Sequence, residues 1–205
     1  MSASKGCLLG NLSIHKFKNV KIIGSVIARQ DSKRLTYKNL LPYQGVPLVL
    51  RAVRKLLSSQ LFEEVVLSTD SELIAYTCMS EPGLRILNRP PALCEDSTPS
   101  IPVFQHIMKH FRGDMHLNYN CNFPECPDSA FVQAIELAKE KEESLSIPYA
   151  VWAQTQACLD HYGDPFNIMA QTFHAEGIGE TDVHTMGDLI EVHRNHFKTS
   201  PWRKS

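Results

Sequence analysis

No apolar stretch in this chain of 205 residues approaches the roughly 20 residues that a bilayer-spanning helix requires, which removes a membrane from the expected partners. A charge excess is lacking as well: 21 Lys+Arg stand against 22 Asp+Glu, for a formal net charge of −1. A chain without a long-range positive field is not expected to bind nucleic acid, and any anionic ligand must be held by a local cluster of cations. The first twenty residues carry one short apolar patch and no small-residue cleavage pattern. Residues 1–20 are therefore expected to be an N-terminal extension leading into a strand, not a secretory leader. Closely paired cysteines are scarce too. Of the six, only Cys121 and Cys126 are near neighbours. A single C-x4-C pair falls short of a zinc site, so reduced thiols and a cytoplasmic location are expected.

What is present reads as an ordinary domain, with 43% apolar and 21% charged residues in a length that suits one sizeable core. Residues 21–28 (KIIGSVIA) form a β-branched run, apolar on both faces as a buried parallel strand is. Residues 48–60 place Leu48, Ala52, Val53, Leu56 and Leu57 on one helical face, with Arg51, Arg54 and Lys55 mainly off it. Strands are then expected at 63–70, 84–89, 115–123 and 147–156. Helices are expected at 71–80, 100–111 with Pro102 in the first turn, 130–144 started by Asp128 or Ser129, and 188–197. Residues 158–180 are the least periodic. Strands alternating with helices predict right-handed crossovers and an α/β chain: a three-layer α/β/α, Rossmann-like fold with a mainly parallel sheet, as one domain over 21–205.

In such sheets, ligands settle at the carboxyl ends of the strands, near the point where strand order reverses. The segment directly after the first strand, A-R-Q-D-S-K-R-L-T-Y-K-N-L from Ala28 to Leu40, sets Arg29, Lys33, Arg34 and Lys38 close together in an otherwise neutral chain. A triphosphate carries about four negative charges, so a cationic loop there supplies binding and offsets charge building on a leaving pyrophosphate. Ser32 and Asn39 can add hydrogen bonds, and the loop's N–H groups can form an anion nest. Four cations alone read equally well as a solvated basic loop; their position after a strand favours the ligand. No G-x-x-x-x-G-K-[ST] occurs, so this is not a Walker loop.

The pattern A-R-x-x-S-K-R-L-x-x-K-N-L resembles the nucleotide-binding signature of the acylneuraminate cytidylyltransferases, which make CMP-sialic acid. It is also similar to that of the CMP-Kdo synthetases and of spore-coat polysaccharide nucleotidyltransferases. The likeness continues in order through Pro42 to Leu48, V-V-L-S-T-D-S-E-L-I-A at 65–75 and R-P-P-A-L-C-E-D-S-T-P-S at 89–100. It ends with T-D-V-H-T-M-G-D-L at 181–189, which resembles the family's I-D-I-D-T-x-x-D-L.

The resemblance implies a nucleotidyltransferase domain that moves CMP from CTP to a small acidic sugar and releases pyrophosphate, with Mg²⁺ as cofactor. By that likeness Ala28, Arg29, Ser32, Lys33, Arg34 and Asn39 contact CTP, and Lys38, with Arg29 and Lys33, acts on the phosphates in the transition state. Arg89 is implied as another cation of the nucleotide site, and Ser100 as a neighbour of the cytosine or ribose, although a serine at a helix start reads equally well as a cap. Asp182 is implied as a Mg²⁺ ligand. The second acidic position of that motif holds His184 instead, and imidazole is a poor ligand for so hard a cation. Asp188 reads as a cap of the last helix and Asp70 as a turn former.

Two further departures concern the acceptor. The family segment L-Q-P-T-S-P-L-R is matched by N-F-P-E-C-P-D-S at 122–129, which lacks the glutamine and the arginine and leaves Asn120 and Asn122 as stand-in amides. Residues 146–180 are too short for the excursion that supplies sugar-binding cations and a dimer contact in the sialic-acid enzymes. They contain no Lys or Arg, so His161 and His174 are the stand-ins for a cation on an acceptor carboxylate, and a homodimer is allowed for. Three readings stay open: an acidic-sugar enzyme, an enzyme for a phosphonate or smaller acceptor, and a nucleotide-binding homologue with weak catalysis.

Overall fold

The computed structural model describes residues 17, 19–30, 34–95, 97–162 and 171–199. Strand β1 (Ile22–Ile27) takes up the first apolar run, with Ile22, Ile23 and Val26 buried. The polar segment after it winds into a 3-10 turn at Lys38–Leu40 and a small hairpin, β2 (Pro42–Tyr43) and β3 (Val46–Pro47). Gln44 and Gly45 at the hairpin tip both have positive φ, as a type I′ turn requires. Next come α1 (Leu48–Ser59), β4 (Glu64–Thr69), α2 (Glu72–Cys78), β5 (Leu84–Asn88), α3 (Ser100–Phe111) and β6 (Met115–Tyr119). The rest is α4 (Asp128–Lys141), β7 (Glu143–Ser146), β8 (Val151–Thr155), α5 (Gln156–Asp160), β9 (Gln171–Phe173) and α6 (Met186–Thr199).

Seven strands form one sheet in the order β5-β4-β1-β6-β8-β7-β9. Strand β1 pairs in parallel with β4 and β6, and β4 with β5. The chain leaves β1 towards β4 and β5 and returns to β6 on its other side, so strand order reverses at β1. Helices α1, α2 and α4 bury Val53, Leu56, Ile74, Phe131 and Ile135 against one face of the sheet. Helices α3 and α5 bury Phe104, Ile107 and Leu159 against the other. This is the expected three-layer arrangement with a mainly parallel sheet. A third, small core of Tyr43, Leu48, Val183, Leu189 and Val192 seats α6 on the hairpin. Among the described residues no helix is long and apolar enough to cross a membrane.

The sheet departs from expectation beyond β6. The helix expected to run to residue 144 stops at Lys141, because Glu142 turns left-handed (φ 68°) and Glu143 enters the sheet as β7. Glu143 is drawn inside by Trp152 Nε1–H (2.8 Å) and the Tyr162 hydroxyl (3.1 Å), which together satisfy a carboxylate that burial would otherwise penalise. Strand β8 lies antiparallel between β6 and β7, and β9 arises in the stretch that lacked periodicity. Strand β6 ends at Tyr119, four residues before its expected limit. At the start of α4, Asp128 forms no cap and instead pairs with Lys55 (2.8 Å).

Candidate active site

The carboxyl ends of β1 and β6 open into a cleft of about 460 Å³, at the point where strand order reverses. Four cations expected from the sequence line it: Arg29, Arg34, Lys38 and Arg89. Arg29 follows β1 directly and donates from Nη1 to Cys94 O (3.4 Å). Arg89, at the end of β5, is almost fully buried and donates from Nη2 to Ser68 O (2.8 Å). Desolvation lowers its pKa, with the Asp70 and Cys94 side chains partly compensating. Lys38 opens the 3-10 turn. Its burial lowers the ammonium pKa, while the neighbouring Cys121 and Asp182 side chains pull it back up. A charge so placed is weakly screened and acts strongly on a phosphate beside it.

The backbone of this lip is held by side chains. Asp70 Oδ1 accepts from Gln30 N–H (2.8 Å), which makes Asp70 the turn former expected of it. Asn39 donates to Arg29 O (3.0 Å) and accepts from Cys121 Sγ (3.4 Å), so its amide braces the loop as well as lining the cleft. Ala28 is buried, with its N–H on Ser68 O (3.0 Å); it continues the strand ladder and does not line the cleft. Ser32 and Lys33 lie outside the described residues.

The opposite wall is neutral. Ser100 is the first residue of α3 but makes no capping hydrogen bond, contrary to the cap reading; it lines the cleft with Tyr149, whose phenol pKa burial pushes up to about 12. Asn118 sits at the floor with its Oδ1 accepting from Ser25 Oγ (3.2 Å), and Ser25 Oγ also meets His116 Nε2 (2.9 Å). Asn120 and Asn122 both line the cleft, and Asn120 also spends its amide on Tyr149 O (3.2 Å) and Asn122 N–H (3.1 Å), shaping the loop. No motif singles out Tyr149 or Asn118; only the connection between β7 and β8 and the strand β6 that carry them do. His161 and His174 do not line the cleft: His161 bonds Ala157 O (2.8 Å), and His174 borders a separate hollow on α4.

Asp182 and His184 approach from the segment before α6. His184 Nε2, on the residue expected as a doubtful metal ligand, lies 2.8 Å from Asp182 Oδ2, within reach to orient that carboxylate. Asp182 Oδ1 is buried and has no hydrogen-bond partner. Asp188 accepts from the N–H groups of His184 (2.9 Å) and Thr185 (2.7 Å), while Thr185 Oγ1 accepts from Asp188 N–H (3.2 Å). This reciprocal capping box starts α6 and holds the Asp188 pKa down. Among the described residues, no group of three or more His, Cys, Asp or Glu side chains could hold a metal ion. A cation held mainly by substrate phosphates and one carboxylate is compatible with that, since Mg²⁺ keeps much of its shell from phosphate and water. The orphaned Asp182 oxygen fits such a role.

Comparison with known proteins agrees with this geometry. A sequence model of the cytidylyltransferases matches residues 23–174. N-acylneuraminate cytidylyltransferase A of Danio rerio is 29% identical over 121 residues, 58% of this chain and 28% of that enzyme. The alignment thus spans little more than a quarter of the relative's length. A CMP:2-keto-3-deoxy-manno-octonic acid synthetase complexed with CTP superposes with a TM-score of 0.73 at 14% identity, over 88% of this chain and 100% of that one. Rv0371c of Mycobacterium tuberculosis H37Rv, solved in complex with manganese, superposes with a TM-score of 0.60 at 17% identity, over 85% of this chain and 98% of that one.

Proposed function

This chain belongs to the cytidylyltransferase family, and from that premise we propose that it transfers the cytidylyl group of CTP to a hydroxyl of a small sugar-acid acceptor. The observation that carries the proposal is the convergence of Arg29, Arg34, Lys38 and Arg89 on one cleft in a chain of net charge −1. The acceptor hydroxyl oxygen forms a bond to the α-phosphorus and gives up its proton to solvent, as the bond from that phosphorus to the bridging oxygen breaks and pyrophosphate departs. The lip cations hold the triphosphate in line and offset the charge that grows on the leaving group. Asp182 would hold a divalent cation, Mg²⁺ or Mn²⁺, against the triphosphate, with His184 fixing the carboxylate's orientation. Such an ion supplies charge neutralisation on the phosphate oxygens. The sugar-acid acceptor is supported by the names of the relatives, and the neutral wall of Asn122, Ser100 and Tyr149 suits the hydroxyls of such a molecule.

Pyrophosphate release from CTP and Mg²⁺, measured across N-acylneuraminic acid, 3-deoxy-manno-octulosonic acid, smaller sugar acids and phosphonates, tests the activity and identifies the acceptor. Lys38→Ala should lower turnover by about a hundredfold or more while CTP still binds; an unchanged rate would remove Lys38 from the mechanism. One observation favours a second reading, nucleotide binding with weak turnover: Asp188, the last carboxylate of the motif at 181–189, is spent on the helix cap, and His184 stands where the pattern has an acid. Tight CTP binding without pyrophosphate from any acceptor would establish that reading.

A further inference from the structure

Lys38 and Asp182 come from opposite ends of the chain, yet one small core sets both. Val183 is fully buried beside Tyr43, Leu48, Leu189 and Val192, and so carries its half-buried neighbours Asp182 and His184 at the cleft edge. Leu41, packed on the same cluster, donates its N–H to Lys38 O (3.1 Å) and accepts from Leu48 N–H (3.0 Å). The lysine's turn and the carboxylate's segment therefore rest on a common support that is separate from both faces of the sheet.

Tyr43 lies at the centre of that support. It is fully buried, with the Arg51 guanidinium 5.0 Å from its ring centroid and the His193 ring 4.9 Å away. Its hydroxyl donates to Glu125 Oε1 and accepts from Gln44 Nε2 (3.1 Å). Glu125 is joined in turn to the segment that leads to Asp182. Gly179 N–H donates to Glu125 O (2.7 Å), Val183 N–H donates to Asn122 O (3.1 Å), and His196 Nδ1 on α6 lies 3.2 Å from Glu125 Oε1. The single contact from Tyr43 to Glu125 thus ties the hairpin that follows Lys38 to the loop that grips residues 179–183.

We propose that Tyr43 and Glu125 are positioning residues, whose hydrogen bond holds Asp182 in register with Lys38 so that a triphosphate and its divalent cation can bridge the two. The inference rests on the cytidylyl-transfer reading of the cleft. Neither residue lines the cleft, so neither meets substrate; both act through Val183 and its neighbours. The register matters because a displacement of an ångström in a phosphate site already costs a large part of the rate.

The test uses the full chain and the variants Tyr43→Phe, Glu125→Ala, which removes the acceptor, and both together. Tyr43→Phe keeps the buried ring and removes only the donor, so the fold should survive. Calorimetric titration with CTP, first without metal and then across a Mn²⁺ series, should give unchanged metal-free affinity. The metal-dependent gain should shrink roughly tenfold in each single variant, as loss of an outer-shell partner does. The double variant should be no worse than Glu125→Ala alone, since without that carboxylate the Tyr43 hydroxyl has no tie left to lose. Amide exchange in the unliganded protein should quicken at Val183 and across Thr185–Leu189. Unaltered exchange at Val183 in Tyr43→Phe would overturn the tie whatever the cleft binds. A lower melting temperature with the metal-dependent gain intact would reduce the contact to a fold-stabilising one and overturn the proposal. A wild-type chain that binds no CTP would instead overturn the cytidylyl-transfer reading, a result the exchange measurement keeps separate.

Discussion

His116 is enclosed completely under the cleft, between Ser25 Oγ (2.9 Å) and Gln154 Oε1 (3.2 Å), with the Phe104 ring 4.5 Å away. Burial drives its pKa from 6.5 down to about 4, so the folded chain holds it neutral where the unfolded chain would protonate it. Between these two values the unfolded state binds more protons, so stability rises with pH through the window and is lost as pH falls from about 6.5 towards 4. The full gap is worth about 3 kcal/mol. Urea unfolding of the wild type and His116→Gln at pH 7 and pH 4.5 should give the variant a visibly flatter acid limb. Equal pH slopes would mean that His116 is not the group responsible. Nothing in the sequence distinguishes this histidine from the other eight, because its role depends on which face of β6 is covered. Arg29 and Lys38 were legible for the opposite reason, since they sit in a basic run after a strand whose chemistry survives without knowledge of the fold; Asp182 was reached only through the resemblance at 181–189. Of the neutral wall, Ser100 and Asn122 were named from the sequence and Tyr149 was not, since it reaches the cleft only after the strands have paired.

Among the elements, β1 is the one whose sequence most closely determines its surroundings. A Cβ on Gly24 would come within 2.7–3.0 Å of three carbons of the Phe62 ring, which covers the strand and meets Phe131 edge-on. Gly24→Ala should therefore cost about 1–3 kcal/mol by overpacking. A denaturant midpoint lowered accordingly, and partly restored by Phe62→Leu in the same chain, would verify the contact; an unshifted midpoint would refute it. The first half of the sheet could be read from periodicity because β1 and β4 are buried apolar runs alternating with amphipathic helices, while the edge strand β5 stays largely exposed. Strand β7 could not. Its residues, Glu143–Ser146, continue a run of good helix formers, and what pulls them into the sheet are hydrogen bonds to Trp152 and Tyr162 farther along the chain. Once β7 exists, only residues 147–150 separate it from β8, too few for a crossover, so the antiparallel pairing follows. Asp188 as a cap of α6 was legible because capping is local in sequence, whereas its reciprocal partner Thr185 was not named.

For the molecule as a whole, near-neutral net charge required any anion site to be a local cluster, and the fold supplies that cluster where its three cores meet. Ile27, Val103 and Tyr149 of the cleft belong to the α3 side of the sheet, Cys121 to the α1 side, and His184 follows Val183 of the small third core. A ligand there touches all three at once, so its binding energy is expected to oppose global unfolding and not merely to quiet one loop. A ligand present at a hundred times its dissociation constant adds about 2.7 kcal/mol to the folded state. For a chain of this size that corresponds to a rise in melting temperature of roughly 5–10 °C. CTP with Mg²⁺ should give a single cooperative transition displaced by that amount, with UTP, ATP and GTP giving less at equal concentration. Lys38→Ala should retain most of the displacement, since its proposed part is played on the charge that develops during transfer. A shift confined to an early, partial transition would mean that the nucleotide engages the signature loop alone. Equal shifts with all four nucleotides would mean that the cleft reads the triphosphate and not the base.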